Sequence, residues 1–592
     1  MREDYEELLK TWVDRLLAFQ VHDMGNKRLD GGILCPACMT IHGRCTDLIY
    51  PLLYLAKRCG DRKYTDAAVR LFDWGENLLC DDGSLYNDAQ SSWNGITVFA
   101  VISLCEALEK HGDVLEEHDR QRFEERLDRM GTWVYDNLTM EFVTNINYHA
   151  AAAGAMALLG TYRDRRDYRE RARQMAKACF DHITEDGLLY GEGKPMELVT
   201  PRGCRPVDIG YNVEESIPEL LLYARKMEDG DALEKVRGLL RSHLDFMLPD
   251  GGWDNSFGTR NFKWSYWGSR TSDGCQQGYG MWKEEEPEFA EAAYRNLLLC
   301  RFCTHDGLLY GGPDYFSEQE PPCIHHTFSH AKALAAALDC GIREWKRCSL
   351  PSERRQGCFH YPTMDTWRVY KGPWIGTVTA YDFEYLRGGH ASGGALTMLW
   401  HRDAGPVIAA SMTEYSMYEA HNMQQTLKKS GHRPFVPRLE MNIGKVIYAS
   451  CFDTKATMEK GPEEQQRQRQ EQQRQEQRQE QRQEQQGCAI EVHFRPATIE
   501  HQYPEEDVEC GIQWIFQQDR VLIRGYVPVR RREDAVFVLP LIGDKVRAEY
   551  EGGMEIRPIF FLAGGFKGRE YRCRPGTDGR FEISVVCGSP VV

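Results

Sequence analysis

The residues best suited to proton transfer lie together in the segment 145–149, Asn-Ile-Asn-Tyr-His. Tyrosine and neutral histidine can accept or donate a proton, and asparagine can donate hydrogen bonds to a carboxylate. β-Elimination from a uronic acid needs both abilities, because the sugar carboxylate must be neutralised before the C5 proton can be removed. We therefore predict that Tyr148 and His149 are catalytic and that Asn147 binds substrate. The alternative is that Asn147 caps a helix and His149 packs inside the protein.

Further histidines and arginines bring local positive charge to a chain whose formal net charge is −16. Their position in the loops between helices indicates an anionic substrate, although each arginine could instead pair with a neighbouring carboxylate. We predict catalytic roles for His42 and His330, and substrate binding by Arg44, Arg260, Arg270, His325 and His326.

Aromatic and polar side chains also interleave in these loops, most densely between residues 253 and 282. Aromatic rings stack on the apolar faces of sugars, while amides and carboxylates bond to sugar hydroxyl groups. This stretch therefore predicts a sugar-binding wall, with ordinary packing between helices as the alternative. The remaining predicted binding residues are Trp93, Asn94, Tyr211, Glu215, Trp264, Trp267 and Asp273.

Hydrolysis of a glycosidic bond by two carboxyl groups is the main alternative chemistry. A non-catalytic glycan-binding protein is a third hypothesis, which the number of titratable side chains in the loops disfavours. The carboxyl groups available for hydrolysis are Asp88, Glu192, Asp208, Glu214, Glu215, Asp254 and Asp273.

We predict no cofactor. Cys35, Cys38, His42 and Cys45 have the side-chain types of a structural metal site, but four ligands within eleven residues are closer together than is usual for zinc. Buried thiols along a helix are the alternative that we favour. The chain has 20 cysteines and no apolar signal segment at its start, which indicates reduced thiols and a cytoplasmic protein. Removal of a signal peptide would instead indicate a secreted or periplasmic protein.

The turns and helices on either side of these loops form a repeating pattern along the first 307 residues. Asp-Gly or Asp-Asn turns, centred on residues 31, 83, 137, 187, 251 and 307, repeat at intervals of 50 to 64 residues. Each interval holds two helices, which is the mark of a repeat architecture. We predict apolar inner helices at 44–58, 94–110, 147–160, 212–227, 272–283 and 327–340, and charged outer helices at 4–20, 62–80, 116–136, 165–184, 230–248 and 287–304. These twelve helices predict an (α/α)6 toroid over residues 1–345, with the loops at one end.

The sequence changes character near residue 346. Short β-rich runs such as 375–380 and 445–450 replace the helical patterns, and they predict an antiparallel β-sandwich over residues 346–592. Residues 463–486 are almost entirely Gln, Arg and Glu, so they cannot bury apolar surface and are predicted to be an insertion in this domain. The predicted fold class is thus multidomain α and β.

The net charge limits the classes of molecule that the protein is expected to bind. An acidic chain without an apolar run of about 18 residues is expected to bind neither nucleic acid nor membrane. The expected partner is a glycan or oligosaccharide that contains uronate. A homo-oligomer is compatible with the sequence.

This architecture resembles the polysaccharide lyases of the heparinase II/III and oligoalginate lyase type. Those lyases place an Asn and a His at the start of a toroid helix, which Asn147 and His149 match apart from the interposed Tyr148. They also direct a histidine from the sandwich domain to the cleft, and the glycine-flanked stretch 388–394 around His390, followed by His401, looks similar. The resemblance implies a lyase with Tyr and His as base and acid, acting at a uronic acid such as glucuronate; release of a terminal sugar such as rhamnose is a variant of the same chemistry.

Overall fold

The computed structural model describes residues 1–22, 24–88, 91–142, 144–193, 196–267, 274–319, 321–414, 435–461, 488–560 and 566–588. A helical N-terminal region is followed by antiparallel sheets, as predicted. The predicted boundary at 345/346 falls in the connection between the last long helix, which ends at Cys340, and the first strand of these sheets, which begins at Gly357. The predicted insertion 463–486 lies outside the described residues. Of the helices that are described, none has the length and apolarity to span a membrane.

Buried and amphipathic helices alternate in the N-terminal region. In chain order the helices are α1 (Arg2–Leu17), α2 (Ile49–Cys59), α3 (Arg62–Gly75), α4 (Thr97–His111), α5 (Glu117–Asn137), α6 (Ile146–Tyr162), α7 (Arg166–Phe180), α8 (Ile209–Tyr211), α9 (Ile217–Lys226), α10 (Gly230–His243), α11 (Pro287–Phe302), α12 (Ile324–Cys340) and α13 (Pro351–Arg354). The buried helices α2, α4, α6, α9 and α12 correspond to predicted inner helices. Helices α1, α3, α5, α7, α10 and α11 correspond to the predicted outer ones.

The buried helices contact one another in sequence. Helix α2 contacts α4, α4 contacts α6, α6 contacts α9, and α12 contacts α2 again. Small residues permit this packing, because α6 is buried all round its Ala150–Ala157 stretch and any larger side chain there would push its neighbours away. A π-helical turn, Gln276–Gly280, contacts both α9 and α12 and completes the succession.

The expected inner helix at 272–283 does not form in its described part, which begins at Gly274. Only the π-helical turn Gln276–Gly280 is present there. Glycines at 274, 278 and 280 explain the difference, since each glycine in a helix interior costs about 1 kcal/mol relative to alanine.

The repeated turns share one geometry. Gly31, Gly83, Gly187, Gly251 and Gly307 all have positive φ. Each turn closes a small antiparallel bridge between an outer helix and the next inner element, for example Leu79 with Leu85 and Ile183 with Leu189. At Gly31 any side chain would overlap the Arg70 carbonyl of α3, so the turn also packs on the next outer helix. The predicted turn is therefore present at five of its six positions. At the remaining position, residue 137, there is no such turn, because Asn137 is the last residue of α5.

The strands form three larger antiparallel sheets beyond the short pair β1 (Thr304–His305) and β2 (Leu308–Leu309). The strands are β3 (Gly357–Tyr361), β4 (Thr366–Lys371), β5 (Trp374–Thr379), β6 (Ala395–His401), β7 (Gly405–Ala409), β8 (Arg438–Ile443), β9 (Val446–Ala449), β10 (Thr457–Lys460), β11 (Cys488–Phe494), β12 (Cys510–Phe516), β13 (Arg520–Tyr526), β14 (Ala535–Ile542), β15 (Val546–Glu549), β16 (Met554–Phe560), β17 (Lys567–Cys573) and β18 (Arg580–Cys587). The first sheet has the order β3-β4-β5-β6-β7, the second β10-β11-β12-β13-β18-β15 and the third β16-β17-β14-β8-β9.

The first sheet joins the two regions. Residues such as Val369 and Trp374 share one apolar core with Leu439, Ile523 and other residues of the two later sheets. Other residues of the first sheet bond to the helical region. Arg368 on β4 pairs with Asp254 at full burial, and Trp400 on β6 donates to Asp250 at 2.7 Å. The helical region is thereby held against the first sheet.

Candidate active site

The candidate residues lie at or just before the first turns of the buried helices. Asn147 and Tyr148 open α6, whose N-cap is Asn145 rather than Asn147. The Asn147 backbone N–H donates to Glu192 Oε1 at 3.0 Å, and its side-chain Nδ2 donates to Glu215 Oε2 at 2.7 Å. Its Oδ1 is buried without a hydrogen-bond partner among the described residues. The side chain is therefore not a helix cap and keeps an acceptor free.

Tyr148 lies beside the exposed Trp93. Trp93 Nε1 donates to Tyr148 Oη at 2.9 Å, and the two rings meet edge to face with centroids 5.4 Å apart. Burial, followed by the negative charge of Glu215, raises the pKa of Tyr148 above its usual range. Tyr148 is thus a protonated phenol at neutral pH and can donate a proton.

Arg44 is a partly buried guanidinium at the start of the first inner segment. It donates to Asp47 Oδ2 at 3.0 Å, lies 3.8 Å from Glu215 Oε1 and sits over the Phe99 ring at 4.6 Å. A cavity of about 20 Å³ is lined by Arg44, Phe99, Glu215 and Lys332, among others. A water molecule needs about 10–15 Å³, so this cavity has no room for a sugar.

Glu192 and Arg260 are in direct contact in the protein interior. Arg260 Nη2 lies 2.9 Å from Glu192 Oε2, with the Glu192 side chain fully buried. Burial raises the pKa of Glu192 to about 7, although Arg260 opposes the shift. The Arg260 guanidinium is also 3.9 Å from the Tyr211 ring centroid. Arg260 therefore connects the Asn147 segment to Tyr211.

A second cationic side chain, in addition to Arg260, contacts Tyr211 at its hydroxyl group. Lys263 Nζ donates to Tyr211 Oη at 2.8 Å, and Arg260 lies over the ring. Tyr211 thus has one cation at its hydroxyl group and another over its ring. Tyr385, from the loop after β5, brings its ring to 5.5 Å from Arg260. Our sequence predictions did not include Tyr385; its signal was its place just before the glycine-flanked stretch at 388–394.

The two histidines that the family resemblance singled out lie elsewhere. His149 is buried on a different side of α6, where its neighbours are His182, Glu197 and the backbone of Met140, and burial lowers its pKa. His390 contacts the Tyr381 carbonyl at 3.3 Å within the sheet region, and burial lowers its pKa too. Neither has a contact with Tyr148 or Tyr211 among those that the structure describes. The catalytic role of His149 stays a prediction.

The histidines of the last inner helix are buried. His326 and His330 have ring centroids 4.7 Å apart, and Trp267 packs against both. His325 stacks on Phe328 at 4.6 Å and lies 5.7 Å from His42. His330 is 1% exposed, so a role in proton transfer would require substrate to reach the interior.

In the described parts of 253–282, which are residues 253–267 and 274–282, the expected wall of exposed aromatic rings is not present. Trp264 and Trp267 are fully buried, and Trp267 Nε1 donates to the Tyr310 carbonyl at 3.2 Å. These rings belong to the same apolar core as the buried helices. Trp93 is exposed and can stack on a sugar, while Asn94 donates to Ser84 at 3.4 Å. Arg270 and Asp273 lie outside the described residues.

Two of the candidate carboxylates serve the fold. Asp254 pairs with Arg368, and Asp208 accepts hydrogen bonds from the backbone of Tyr211 and Arg260. Both are fully buried. The metal-ligand group also differs from the expected one, because Cys323 rather than Cys45 joins Cys35, Cys38 and His42.

Comparisons with known proteins identify related lyases. Residues 9–353 match the family model of the ulvan lyase N-terminal domain, and residues 358–503 match that of the ulvan lyase C-terminal domain. A broad-specificity ulvan lyase of Formosa agariphila is 40% identical over 469 residues, which are 76% of this chain and 72% of that protein. A crystal structure of heparinase III aligns with a TM-score of 0.55 at 10% identity, covering 98% of this chain and 85% of the other, a likeness of fold alone.

These findings confirm the predicted resemblance to polysaccharide lyases and favour elimination over hydrolysis by paired carboxylates. They also favour an enzyme over a non-catalytic glycan-binding protein. The protein is a polysaccharide lyase that acts on a uronate-containing polysaccharide, and the chain belongs to the ulvan lyase family.

Proposed function

We propose that this enzyme cleaves ulvan, a glycan containing uronate and rhamnose, or a closely similar polysaccharide. The support is the named activity of the Formosa agariphila relative, together with three cationic side chains around Tyr148 and Tyr211. These side chains are Arg44, Arg260 and Lys263, in a chain whose formal net charge is −16. They would bind the uronate carboxylate.

The observation that carries the catalytic proposal is the connected group Asn147, Tyr148, Glu192, Arg260 and Tyr211. Asn147 and Arg260 share Glu192 as a partner, at 3.0 and 2.9 Å. A uronate that displaces this carboxylate would receive hydrogen bonds from the Asn147 backbone N–H and from the Arg260 guanidinium. Neutralisation of its charge makes the C5 proton removable.

We assign the proton transfers to the two tyrosines. Tyr211 acts in its phenolate form, with Lys263 and Arg260 beside it: the phenolate oxygen takes the C5 proton, and the electron pair of the C5–H bond forms the C4–C5 double bond. The C4–O bond breaks, and Tyr148 gives its proton to the departing oxygen. Water is not consumed, and these side chains require no cofactor.

We also propose that the chain folds as an (α/α)6 toroid followed by a β-sandwich. The succession of contacts from α2 through α4, α6, α9 and α12 back to α2 supports the toroid. The apolar core shared by the three sheets supports the sandwich.

Ulvan and ulvan whose carboxyl groups have been reduced to alcohols test the proposal together. The enzyme should form the ultraviolet-absorbing double bond with the first polymer and leave the second intact, because a C5 proton beside an alcohol stays unreactive. Arg260→Met should lower kcat/KM on ulvan by about 10²- to 10³-fold, whereas Arg524→Met, on the exposed face of β13, should not. Equal cleavage of both polymers would contradict the proposal.

A further inference from the structure

Four potential metal ligands from opposite ends of the helical region meet at one place. The ligand atoms of Cys35, Cys38, His42 and Cys323 all lie within 4.8 Å of one another. Cys38 Sγ is 3.5 Å from Cys323 Sγ, and Cys323 Sγ is 3.4 Å from His42 Nε2. Three residues come from the first loop, and Cys323 is the N-cap of α12. We propose that this group is a structural Zn²⁺ site of the Cys3His type.

The spacing of the ligand atoms fits tetrahedral zinc. A Zn–S bond of about 2.3 Å places two sulfur ligands about 3.8 Å apart, and a Zn–N bond of about 2.1 Å places nitrogen about 3.6 Å from sulfur. The observed separations of 3.5 and 3.4 Å are close to these values. Cys35, His42 and Cys323 are buried and Cys38 is partly buried, which suits a closed structural site more than a catalytic one.

The backbone of the first loop is already shaped to present two thiolates. Leu34 and Ile41 form an antiparallel bridge that closes a tight turn around Cys35-Pro-Ala-Cys38. The Cys38 N–H points to Cys35 Sγ at 3.4 Å, and the Met39 N–H donates to the Cys35 carbonyl at 2.9 Å. Met39 has φ of 50°, which is uncommon for a residue with a side chain, and that side chain is exposed. The turn thus directs both sulfur atoms to the same side.

His42 has the partner that metal-bound histidines usually have. Its Nε2 faces the thiol of Cys323, while its Nδ1 lies 3.4 Å from Asp88 Oδ1. A carboxylate at the second nitrogen fixes the tautomer and orientation of a zinc-bound imidazole. Asp88 is itself held by Asn87 Nδ2 at 2.7 Å. We therefore assign His42 to metal binding and not to the proton transfer that the sequence suggested.

The site would join the first and last inner segments of the helical region. Arg44 follows His42 by two residues, and His325 follows Cys323 by two residues. Zinc would therefore fix the Arg44 side of the candidate active site relative to α12. A disulfide between Cys38 and Cys323 is the competing arrangement, but it requires the sulfur atoms to approach from 3.5 Å to about 2.05 Å. It would also leave Cys35 as a free thiol beside His42.

Metal content of the purified full chain tests the proposal. After removal of metal with a chelator and refilling with Zn²⁺ alone, the wild type should hold about one zinc per chain. Cys323→Ser and Cys38→Ser should lose it. Cys45→Ala is the matched control, because Cys45 is equally buried and close in sequence but lies outside the group. Equal zinc in the wild type and Cys323→Ser, or no zinc in the wild type, would overturn the proposal.

The wild type alone gives a second test that does not depend on the folding of variants. With Zn²⁺ bound, Cys35, Cys38 and Cys323 should resist a thiol-alkylating reagent, and a chelator should expose them while Cys45 stays unreactive. Replacement of zinc by Co²⁺ should produce the visible bands of a tetrahedral thiolate site. A Cys38–Cys323 disulfide found by peptide mass analysis of zinc-loaded protein, or alkylation unaffected by the chelator, would refute the site.

Discussion

At the scale of single residues, Glu192 makes stability depend on pH. Burial raises its pKa to about 7 from an ordinary value of 4.5. The folded protein therefore holds this proton over a range in which the unfolded chain has lost it. The free energy of unfolding should fall by about 3 kcal/mol between about pH 4.5 and pH 7 because of this group, and the contribution should be constant above and below.

Glu192→Gln should remove that contribution. The measurement is the free energy of unfolding by urea at several pH values for the wild type and the variant. The wild type and the variant should differ in how steeply the free energy of unfolding changes with pH, and this difference reports Glu192 alone. Burial also raises the pKa of Glu219, to about 8, but Glu219 contributes equally to both proteins. Parallel curves would show that Glu192 is ionised in the folded protein throughout this range.

At the scale of helices, two glycines predict opposite responses to the same substitution. Gly238 lies on the exposed side of α10 with open space around it. Gly154 on α6 approaches α9, and a side-chain carbon there would lie 3.0 Å from the Glu219 carbonyl and 2.9 Å from its carboxylate. Gly238→Ala should raise the free energy of unfolding by about 1 kcal/mol through helix propensity. Gly154→Ala should lower it because α6 and α9 must separate.

Urea midpoints of the two variants measured side by side check this pair. Alanine gains the same helix propensity at both positions, so a difference in sign reports the packing of α6 on α9 alone. Stabilisation by both substitutions would mean that α6 and α9 are less closely packed than the structure indicates.

The helices show how far a sequence predicts its fold. Eleven inner and outer helices were predictable because local patterns decide them: apolar residues all round α6, or one charged face on α3 and α5. The turns were predictable because a positive φ favours glycine. The segment 272–283 was misjudged, since its apolar residues outweighed the effect of Gly274, Gly278 and Gly280 in the pattern.

The site was less predictable because its contacts join distant residues. Asn147 and Tyr148 could be found locally, but the link from Asn147 through Glu192 to Arg260 spans three loops. Cys323 could not be assigned to the Cys35 group, since it lies 285 residues beyond Cys38. Trp264 and Trp267 were expected at the surface, because a sequence does not reveal whether a long loop folds inward.

At the scale of the whole molecule, the buried pair of Arg368 and Asp254 holds the helical region to the first sheet. Thr377 on β5 also donates to Asp254, and Tyr370 donates to the Asp245 carbonyl at 2.9 Å. Asp254→Asn leaves the Arg368 charge buried without its counter-ion and should destabilise the protein by about 3 kcal/mol or more.

The thermal midpoint of Asp254→Asn checks this prediction. Glu582→Gln is the control, because Glu582 forms an exposed ion pair with Arg524. The Arg524 side chain is 41% exposed and that of Glu582 is 54% exposed, so the pair should stabilise the protein by less than about 1 kcal/mol. A midpoint equal to that of the control would show that the two regions do not depend on the pair.

The central claim, that the residues around Arg260 carry out the elimination, is tested most directly by the rate of double-bond formation on ulvan by Tyr211→Phe. We expect a loss of about 10²-fold or more in kcat with ulvan binding retained, because only the proton acceptor is removed. Tyr135→Phe on the outer helix α5 should keep the full rate. A full rate in Tyr211→Phe would contradict the account and place the base elsewhere.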